Sequence, residues 1–400
     1  MKIIEIKPGI FYTGVQDENL RVFDIIMETE FGTSYNSYVI KGSDKTALVD
    51  TAKSCFFEEY INNVSSVCDV ERIDYLIVSH TEPDHSGSIE KLLKINNRIK
   101  VVGTPSALMF LKEMVDDDFG SMAVRDGDKL SLGDKTLEFL SLPNLHWPDT
   151  MFTYVPESRI LFTCDCFGAH YSFSKVLRSD LEEVENYLKS AKYYFDMILG
   201  PFKIPFIKNA LERIKPLNYD IIATGHGPVL NSNIDEILNL YSVWSSIRKR
   251  EKKTVAMLYV SAYGYTEMLA RQIEQGVLDS GEIEVEVYNL VDTSVFEEAV
   301  DCLSGADGIL FGTPTILGDA LEPIWSAVNS MFPPTHGGKL AAAFGSYGWS
   351  GEGVPNITER LKQLRLKVLE GLIVRFKPNP EQLKQAYDFG MNFGKTVLRD

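Results

Sequence analysis

Ile73-Asp74-Tyr75-Leu76-Ile77-Val78-Ser79-His80-Thr81-Glu82-Pro83-Asp84-His85-Ser86-Gly87-Ser88 begins as an almost continuous apolar, β-branched run and ends in a loop dense with polar donors. The run reads as a strand buried on both faces, and Ser86-Gly87-Ser88 reads as the opening of the next helix. Between them His80, Glu82, Asp84 and His85 offer potential metal ligands within six residues. Open α/β sheets place their chemistry at the carboxyl edge of their strands, where this loop falls. Two imidazoles and two carboxylates packed this tightly would repel or sit desolvated unless a cation held them.

The chain has 400 residues, which favours two domains. Hydrophobic content of 44% and charged content of 24% are those of an ordinary globular protein. No apolar run has the length of a membrane span, and Met1-Lys2-Ile3-Ile4-Glu5 carries no signal-peptide pattern. The net charge of −16 argues against a nucleic-acid partner. Five cysteines without a CxxC pair point to reduced thiols and a cytoplasmic location. Cys164 and Cys166 flank Asp165 on an apparent strand, so alternation puts both on the face opposite Asp165, read first as packing residues and second as redox or metal-binding ones.

Up to about residue 250 the pattern mixes hairpins with helices. Ser37–Ile40 pairs with Ala47–Asp50, Lys129–Leu132 with Leu137–Leu140, and Phe152–Val155 with Ile160–Thr163. Helical spacing covers Ala107–Leu111 and Leu181–Tyr194. These segments predict an αββα sandwich over residues 1–250. The basic run Arg248-Lys249-Arg250-Glu251-Lys252-Lys253 is expected to close a helix and mark the boundary as a solvated linker. Residues 251–400 then alternate strictly. Strands are expected at Val255–Val260, Ile283–Tyr288, Gly308–Phe311, Leu340–Phe344 and Val368–Val374. Helices are expected at Thr266–Leu278, Glu297–Leu303, Glu322–Ser330, Asn356–Leu364 and Glu381–Leu398. That alternation is a doubly wound parallel sheet.

Three more loops of the first domain end strands with plausible ligands: His146 in Leu145-His146-Trp147-Pro148, Asp165, and His226 in Thr224-Gly225-His226-Gly227. Ligands at successive strand ends converge, so His80, Glu82, Asp84, His85, His146, Asp165 and His226 can surround two metals with Asp165 between them. His85 is the least secure member, because neighbours Asp84 and His85 diverge in direction. His170 is read either as lining the site behind the ligands or as a hydrogen-bonded core histidine, and His336 as a surface-loop residue. The spacing resembles the metallo-β-lactamase fold, whose hydrolases read HxHxDH here; Glu82 replaces the middle histidine. Zinc hydrolases favour neutral imidazole, whereas an added carboxylate stabilises a ferric ion and suits a di-iron centre.

In the second domain Ser261-Ala262-Tyr263-Gly264-Tyr265-Thr266 joins the first strand to the first helix. Its hydroxyls, the permissive Gly264 and the helix N-terminus make a phosphate cradle. GxGxxG and the Walker lysine are both missing, which disfavours a dinucleotide or a nucleoside triphosphate. The pattern is similar to the flavodoxin loop, with Tyr263 departing from it. Thr313-Pro314-Thr315-Ile316 and Gly345-Ser346-Tyr347-Gly348-Trp349-Ser350-Gly351 end two further strands. Their glycines admit a flavin ring close to the backbone, and Tyr347 or Trp349 could stack on it. FMN is the expected cofactor.

The two halves in this order resemble the flavodiiron proteins (A-type flavoproteins) over the whole chain. The matching segments are His80-x-Glu82-x-Asp84-His85, Leu145-His146-Trp147-Pro148-Asp149, Asp165, Gly225-His226-Gly227, Ser261-x-Tyr263-Gly264-x-Thr266 and Ala343-Phe344-Gly345-Ser346-Tyr347-Gly348-Trp349. The resemblance implies a metallo-β-lactamase-like αββα sandwich with two irons, followed by a flavodoxin-like sheet with FMN. It implies reduction of O2 to water or of NO to N2O. It implies a head-to-tail homodimer that apposes the FMN of one chain to the irons of the other. Electrons are expected from rubredoxin or a similar small redox protein, with Arg375 and Lys377 as candidates for its docking patch. Two ferrous ions and a reduced flavin together hold the electrons that O2 takes up on its way to water. The competing readings are a metallo-β-lactamase-type hydrolase with an accessory flavin domain, and an electron carrier with a vestigial metal site.

Overall fold

The computed structural model describes residues 4–246 and 250–400, and internal contacts divide the chain into two compact units, Met1–Ser246 and Ile247–Asp400. Among the described residues, the first unit contains two large sheets. One has seven strands in the order Ile4–Lys7, Ile10–Tyr12, Tyr38–Lys41, Thr46–Val49, Tyr75–Ile77, Lys100–Gly103, Ser121–Ala123. The other has five, in the order Lys129–Ser131, Thr136–Ser141, Met151–Val155, Ile160–Cys164, Ile221–Thr224. Ile10, Tyr38, Val49, Ile77 and Val102 of the first sheet share a core cluster with Leu137, Phe139, Met151, Phe162 and Ala223 of the second. A second cluster joins the sheets to the helices, through residues such as Tyr60, Leu92, Tyr187 and Tyr241. The fold is thus the αββα sandwich. Each fully buried aliphatic side chain contributes about 1.5–3 kcal/mol, and this frame is what holds a costly charged cluster at its edge.

Tyr75–Ile77 lies inside the sheet, paired in parallel on both sides with Thr46–Val49 and Lys100–Gly103. That is why its sequence is a nearly unbroken apolar run. The three expected hairpins form in the expected antiparallel pairs. Four details differ. Helix formation starts earlier than Ser86: Pro83–Ser86 is already a helical turn with Pro83 at its first position, where a missing N–H costs nothing. The helix expected from Leu181 begins at Val184, after a 3-10 turn at Arg178–Asp180. The strand Ile160–Cys164 ends with Cys164 at φ +48°, so strand alternation no longer governs where Cys164 points. The last helix described in the unit is Ile234–Trp244, nine residues before the strand that opens at Lys253, so Arg250–Lys253 closes no helix. Arg248 and Lys249 of the basic run lie outside the described residues. Arg250 is part-buried, with its guanidinium paired to Glu286 through two bonds of 3.1 and 2.9 Å.

The second unit is a parallel sheet in the order Ile283–Asn289, Lys253–Tyr259, Gly308–Gly312, Leu340–Tyr347, then Lys367–Val368 and Leu372–Arg375, both paired with Leu340–Tyr347. The strand order reverses between Lys253–Tyr259 and Gly308–Gly312, and a cleft opens at such a switch point. The strand expected at Val368–Val374 is therefore two pieces. A side chain at Gly371 would stand 2.8 Å from the Ala343 carbonyl oxygen, so the chain crosses here with glycine and without pairing. His336 is buried, in contrast to its expected place on the surface. It ends the short helix Pro333–His336, and its Nδ1 accepts the Phe332 N–H at 3.0 Å. No described helix is long and apolar enough to cross a membrane.

Candidate metal centre and flavin cleft

Strand ends and loops of the first unit bring the seven expected ligands together. His80 Nε2 lies 3.3 Å from Glu82 Oε2 and 3.2 Å from Asp165 Oδ2. His146 Nε2 lies 2.9 Å from the same Glu82 oxygen and 3.0 Å from the same Asp165 oxygen. On the other side, His226 Nε2 stands 3.1 Å from Asp84 Oδ2 and 3.4 Å from Asp165 Oδ1. His85 Nε2 stands 2.9 Å from Asp165 Oδ1, 3.4 Å from Asp84 Oδ2 and 3.1 Å from His226 Nε2. The cluster is thus two half-sites: His80, Glu82 and His146 around one oxygen of Asp165, and Asp84, His85 and His226 around the other. The helical turn at Pro83–Ser86 lets Asp84 and His85 diverge at the backbone while their tips reach the same space.

The charge of the cluster asks for cations. Burial disfavours charged imidazoles, yet the thiol of Cys164 and the carboxylate of Asp165 outweigh it and push His80 well above its ordinary range. Asp84, Cys164 and Asp165 do the same to His85. His146 is pushed up to about 9 against burial by hydrogen bonds to Asp165 and Glu82. Asp165 is held ionised against its burial by His80 and His85. Both oxygens of Asp84 and Oδ1 of Asp165 are buried without a hydrogen-bond partner. Orphaned carboxylate oxygens facing imidazole nitrogens are costly unless a metal takes both. The residues fit two cations of the kind that mixed nitrogen and oxygen donors bind.

A ring of residues holds this cluster, of which Ser34, Asn36, Thr33 and Phe23 escaped the sequence reading while Gly225 and His170 did not. The His226 Nδ1–H donates to the Ser34 carbonyl at 2.6 Å. The Asn36 amide donates to the carbonyls of Thr224 and Gly227, both at 2.9 Å, and so clamps the loop that carries His226. A Cβ on Gly225 would stand 2.8 Å from His85 Cε1, so glycine there is what leaves room for the ring. His170 sits behind the ligands: its Nδ1 meets Thr33 Oγ1 at 2.8 Å and its ring centroid lies 5.1 Å from that of His226. The hairpin Val22–Phe23 and Met27–Glu28 reaches the mouth, setting the Phe23 ring 4.4 Å from that of His170, and burial together with the nearby charges of Glu82 and Asp84 holds the Asp24 carboxyl above its usual range.

The cleft of the second unit has a volume near 380 Å³ and is lined by Ala262, Tyr263, Tyr265, Pro314, Thr315, Ile316, Ser346, Tyr347, Gly348 and Trp349 of the expected residues. Leu317, Gly318, Ser350 and Phe376 line it as well. Gly264 caps the following helix at φ +80°. Ser261 Oγ accepts the Glu267 N–H at 3.2 Å. Thr266 is buried, its hydroxyl 2.9 Å from that of Ser346. Thr313 and Gly345 lie behind the cleft rather than in it. Thr313 Oγ1 donates to the Pro314 carbonyl and accepts the Leu321 N–H. A Cβ on Gly345 would stand 1.9 Å from the Thr313 oxygen. Gly351 also falls outside the lining, beside the Tyr347 ring. The shape, the apolar walls and the helix N-terminus fit a flavin and its phosphate.

The family model described as ODP family beta lactamase matches residues 33–227, and that described as Flavodoxin matches residues 257–390. The chain is 40% identical to the flavo-diiron protein FprA2 of Clostridium acetobutylicum, over 99% of this chain and 100% of the relative. It is 38% identical to the type A flavoprotein fprA of Rhodobacter capsulatus, over 97% and 90% of the two chains. The crystal structure of the flavodiiron protein from Giardia intestinalis covers 100% of this chain, and 97% of that one, at a TM-score of 0.65 and 29% identity. The rubredoxin oxygen:oxidoreductase of Desulfovibrio gigas shares the fold, at a TM-score of 0.68 and 24% identity over 100% and 99% of the chains. A two-unit flavoprotein with a lactamase-like metal centre is the class that fold and site define. The chain belongs to the flavodiiron proteins, which are oxidoreductases, and FMN and a pair of irons are the cofactors its two cradles fit.

Proposed function

We propose that this chain reduces O2 to water, NO to N2O, or both, at two irons held by His80, Glu82, Asp84, His85, His146, Asp165 and His226, with FMN relaying electrons from a redox partner protein. The observation that carries this reading is Asp165, whose two oxygens each face one half-site. Paired irons would supply electrons and open coordination positions for a diatomic gas. The protein's own part is placement. Asp165 sets the spacing of the two half-sites, and Glu82 adds negative charge to the half that holds His80 and His146. His146 has the most exposed ligand side chain, at 19% against 11% or less for the others in these pairs, and so marks the open side. Phe23 and Tyr194 pack against His226 with ring centroids 5.8 and 6.0 Å from its own. Anaerobic stopped-flow of the reduced protein against O2 and NO separately tests the reading. At least one gas should reoxidise it within the enzyme's turnover time; indifference to both would overturn the proposal.

FMN in the second unit is proposed to rest its phosphate on Ser261, Gly264 and Thr266. Thr266→Val removes the hydroxyl that meets Ser346, and is expected to release FMN while leaving the metals in place. Flavin absorbance and elemental analysis of the purified variant check this.

The electron donor is proposed to be rubredoxin or a similar small protein. The loop Ser261–Thr266 lacks the GxGxxG that a nicotinamide dinucleotide needs. NADH alone should therefore drive O2 or NO consumption slowly, and adding rubredoxin with its reductase should accelerate it. Fast turnover on NADH alone would overturn the assignment. Arg375 and Phe376 are exposed beside the flavin cleft and, with Lys377, are the candidate docking patch.

A head-to-tail homodimer is proposed to bring the flavin of one chain to the metals of the other. Trp349, Leu317 and Tyr263 stand 98%, 100% and 82% exposed at the cleft of the second unit. Ile25 and Ile26 stand 94% and 74% exposed at the hairpin over the metal centre of the first. Large apolar side chains bared at both sites are what a partner chain would cover. Light scattering of active protein should give twice the chain mass; a monomer would contradict it.

A further inference from the structure

An imidazole that binds metal through one nitrogen needs something to hold the other, because that second contact fixes both the tautomer and the plane of the ring. His226 has the Ser34 carbonyl at 2.6 Å. The Nδ1 of His80 has the sulfur of Cys164, at 3.2 Å. Both residues are buried, His80 completely.

The backbone is built to put this thiol there. Cys164 closes the strand Ile160–Cys164 in the left-handed region, φ +48°, which an L residue adopts only when its surroundings impose it. The neighbouring strand imposes it: the Gly225 N–H donates to the Cys164 carbonyl at 2.6 Å. A Cβ on Gly225 would stand 3.0 Å from the Cys164 carbonyl carbon, so the close approach depends on glycine. The left-handed turn moves the side chain off the alternation that would carry it away from Asp165. The thiol meets the Nδ1 edge of His80, whereas the Nε2 edge meets Glu82 and Asp165. Cys164 therefore stands behind the ring.

We infer that Cys164 is a positioning residue whose sulfur accepts the Nδ1 proton of His80 and aims Nε2 of that ring at the metal shared with Glu82, His146 and Asp165. The assignment rests on the proposal that this cluster binds two irons. Sulfur is a weaker acceptor than the carbonyl behind His226, so His80 gains less basicity from it than His226 does from Ser34. A hydroxyl in its place would accept the same proton more strongly and make His80 the better donor to a ferric ion.

The experiment reloads the metal-free full-length protein with Fe(II) under anaerobic conditions, in competition with a chelator, and counts iron per chain. Midpoint potentials of the iron pair are followed by electron paramagnetic resonance. Cys164→Ala should lower the affinity for one of the two irons by about 10–100-fold. Cys164→Ser should recover most of that affinity and shift the potential of one iron downward. Cys166→Ala truncates an equally buried thiol on the other side of Asp165, and should leave affinity and potentials unchanged. Wild-type affinity and potentials in Cys164→Ala, no recovery in Cys164→Ser, or equal losses in Cys164→Ala and Cys166→Ala would each overturn the inference in favour of packing. If Cys164→Ala does not fold, unchanged potentials in Cys164→Ser overturn it. Wild-type protein that takes up no iron would defeat the metal reading itself, and this assignment with it.

Discussion

Asp165→Asn is expected to disable both halves of the metal centre at once. Among the described residues the carboxylate alone faces all four imidazoles of the expected ligand set: Oδ2 lies 3.2 and 3.0 Å from His80 and His146, and Oδ1 lies 2.9 and 3.4 Å from His85 and His226. An amide of the same shape keeps one oxygen and turns an N–H pair toward nitrogens that must themselves coordinate. It also removes a buried negative charge that offsets the charge of the cations. Changing a group behind a ligand costs about 10–100-fold in metal affinity, and changing the shared ligand should exceed that for each metal. Gas reduction should fall to background, while FMN stays, because its cleft lies in the other unit. Iron and flavin counted in one sample, with stopped-flow against O2 and NO, check all three outcomes. Two irons retained per chain would show that Asp165 does not join the half-sites.

The clustering of these side chains was legible because several of them are concentrated in one loop. His80, Glu82, Asp84 and His85 fall in one loop after one strand, and period and composition are enough to place such a loop at a sheet edge. His146, Asp165 and His226 were legible for the same reason, each after its own strand. What supports them was not. Ser34 lies 192 residues from the His226 it holds, and Thr33 lies 137 from His170. No local pattern announces a contact that only the packing of two sheets creates. Gly225 read as part of a ligand loop, yet its reason is the His85 ring 2.8 Å from where a Cβ would be.

A local rule applied past the end of its element goes astray. Cys164 was assigned by strand alternation, which fails where φ turns positive. Gly345 and Thr313, expected at the flavin because they end strands, also hold the strand ends together, and the open cleft is lined one to four residues later by Pro314, Thr315, Ser346 and Trp349. Leu317 and Phe376 line the cleft from loops whose course is set by tertiary contacts, such as the Phe376 N–H bond to the Tyr347 carbonyl at 2.7 Å. His336 was misjudged because Pro-Pro-Thr-His-Gly has loop composition; burial came from its bond to the Phe332 backbone and its approach to Ser304.

Glu82→His restores the HxHxDH spacing of the metallo-β-lactamase hydrolases, and is expected to convert an iron centre toward a zinc centre. In the structure Glu82 Oε2 is shared by His80 at 3.3 Å and His146 at 2.9 Å, so it is the one carboxylate that belongs to a single half-site containing both. Replacing it leaves that half with three neutral imidazoles and a share of Asp165, a donor set of the kind that catalytic zinc sites use. The ferric state loses the anionic oxygen that stabilises it, so the potential of that iron should rise and its driving force for reducing a gas should fall. Protein produced with both metals supplied should shift its content from iron toward zinc. Reoxidation of the reduced protein by O2 and by NO should slow by about 100-fold or more, beyond the cost of a neighbouring-shell change. The hairpin tip bears on the result as well: the Glu82 charge helps hold the Asp24 carboxyl above its usual range, and the substitution removes it. Asp24→Asn therefore serves as the control, since it changes the charge beside Glu82 without altering the ligand set, and it should keep iron in place. Glu82→His protein with a full complement of iron and unaltered gas kinetics would mean that the carboxylate is not what separates this centre from a hydrolase.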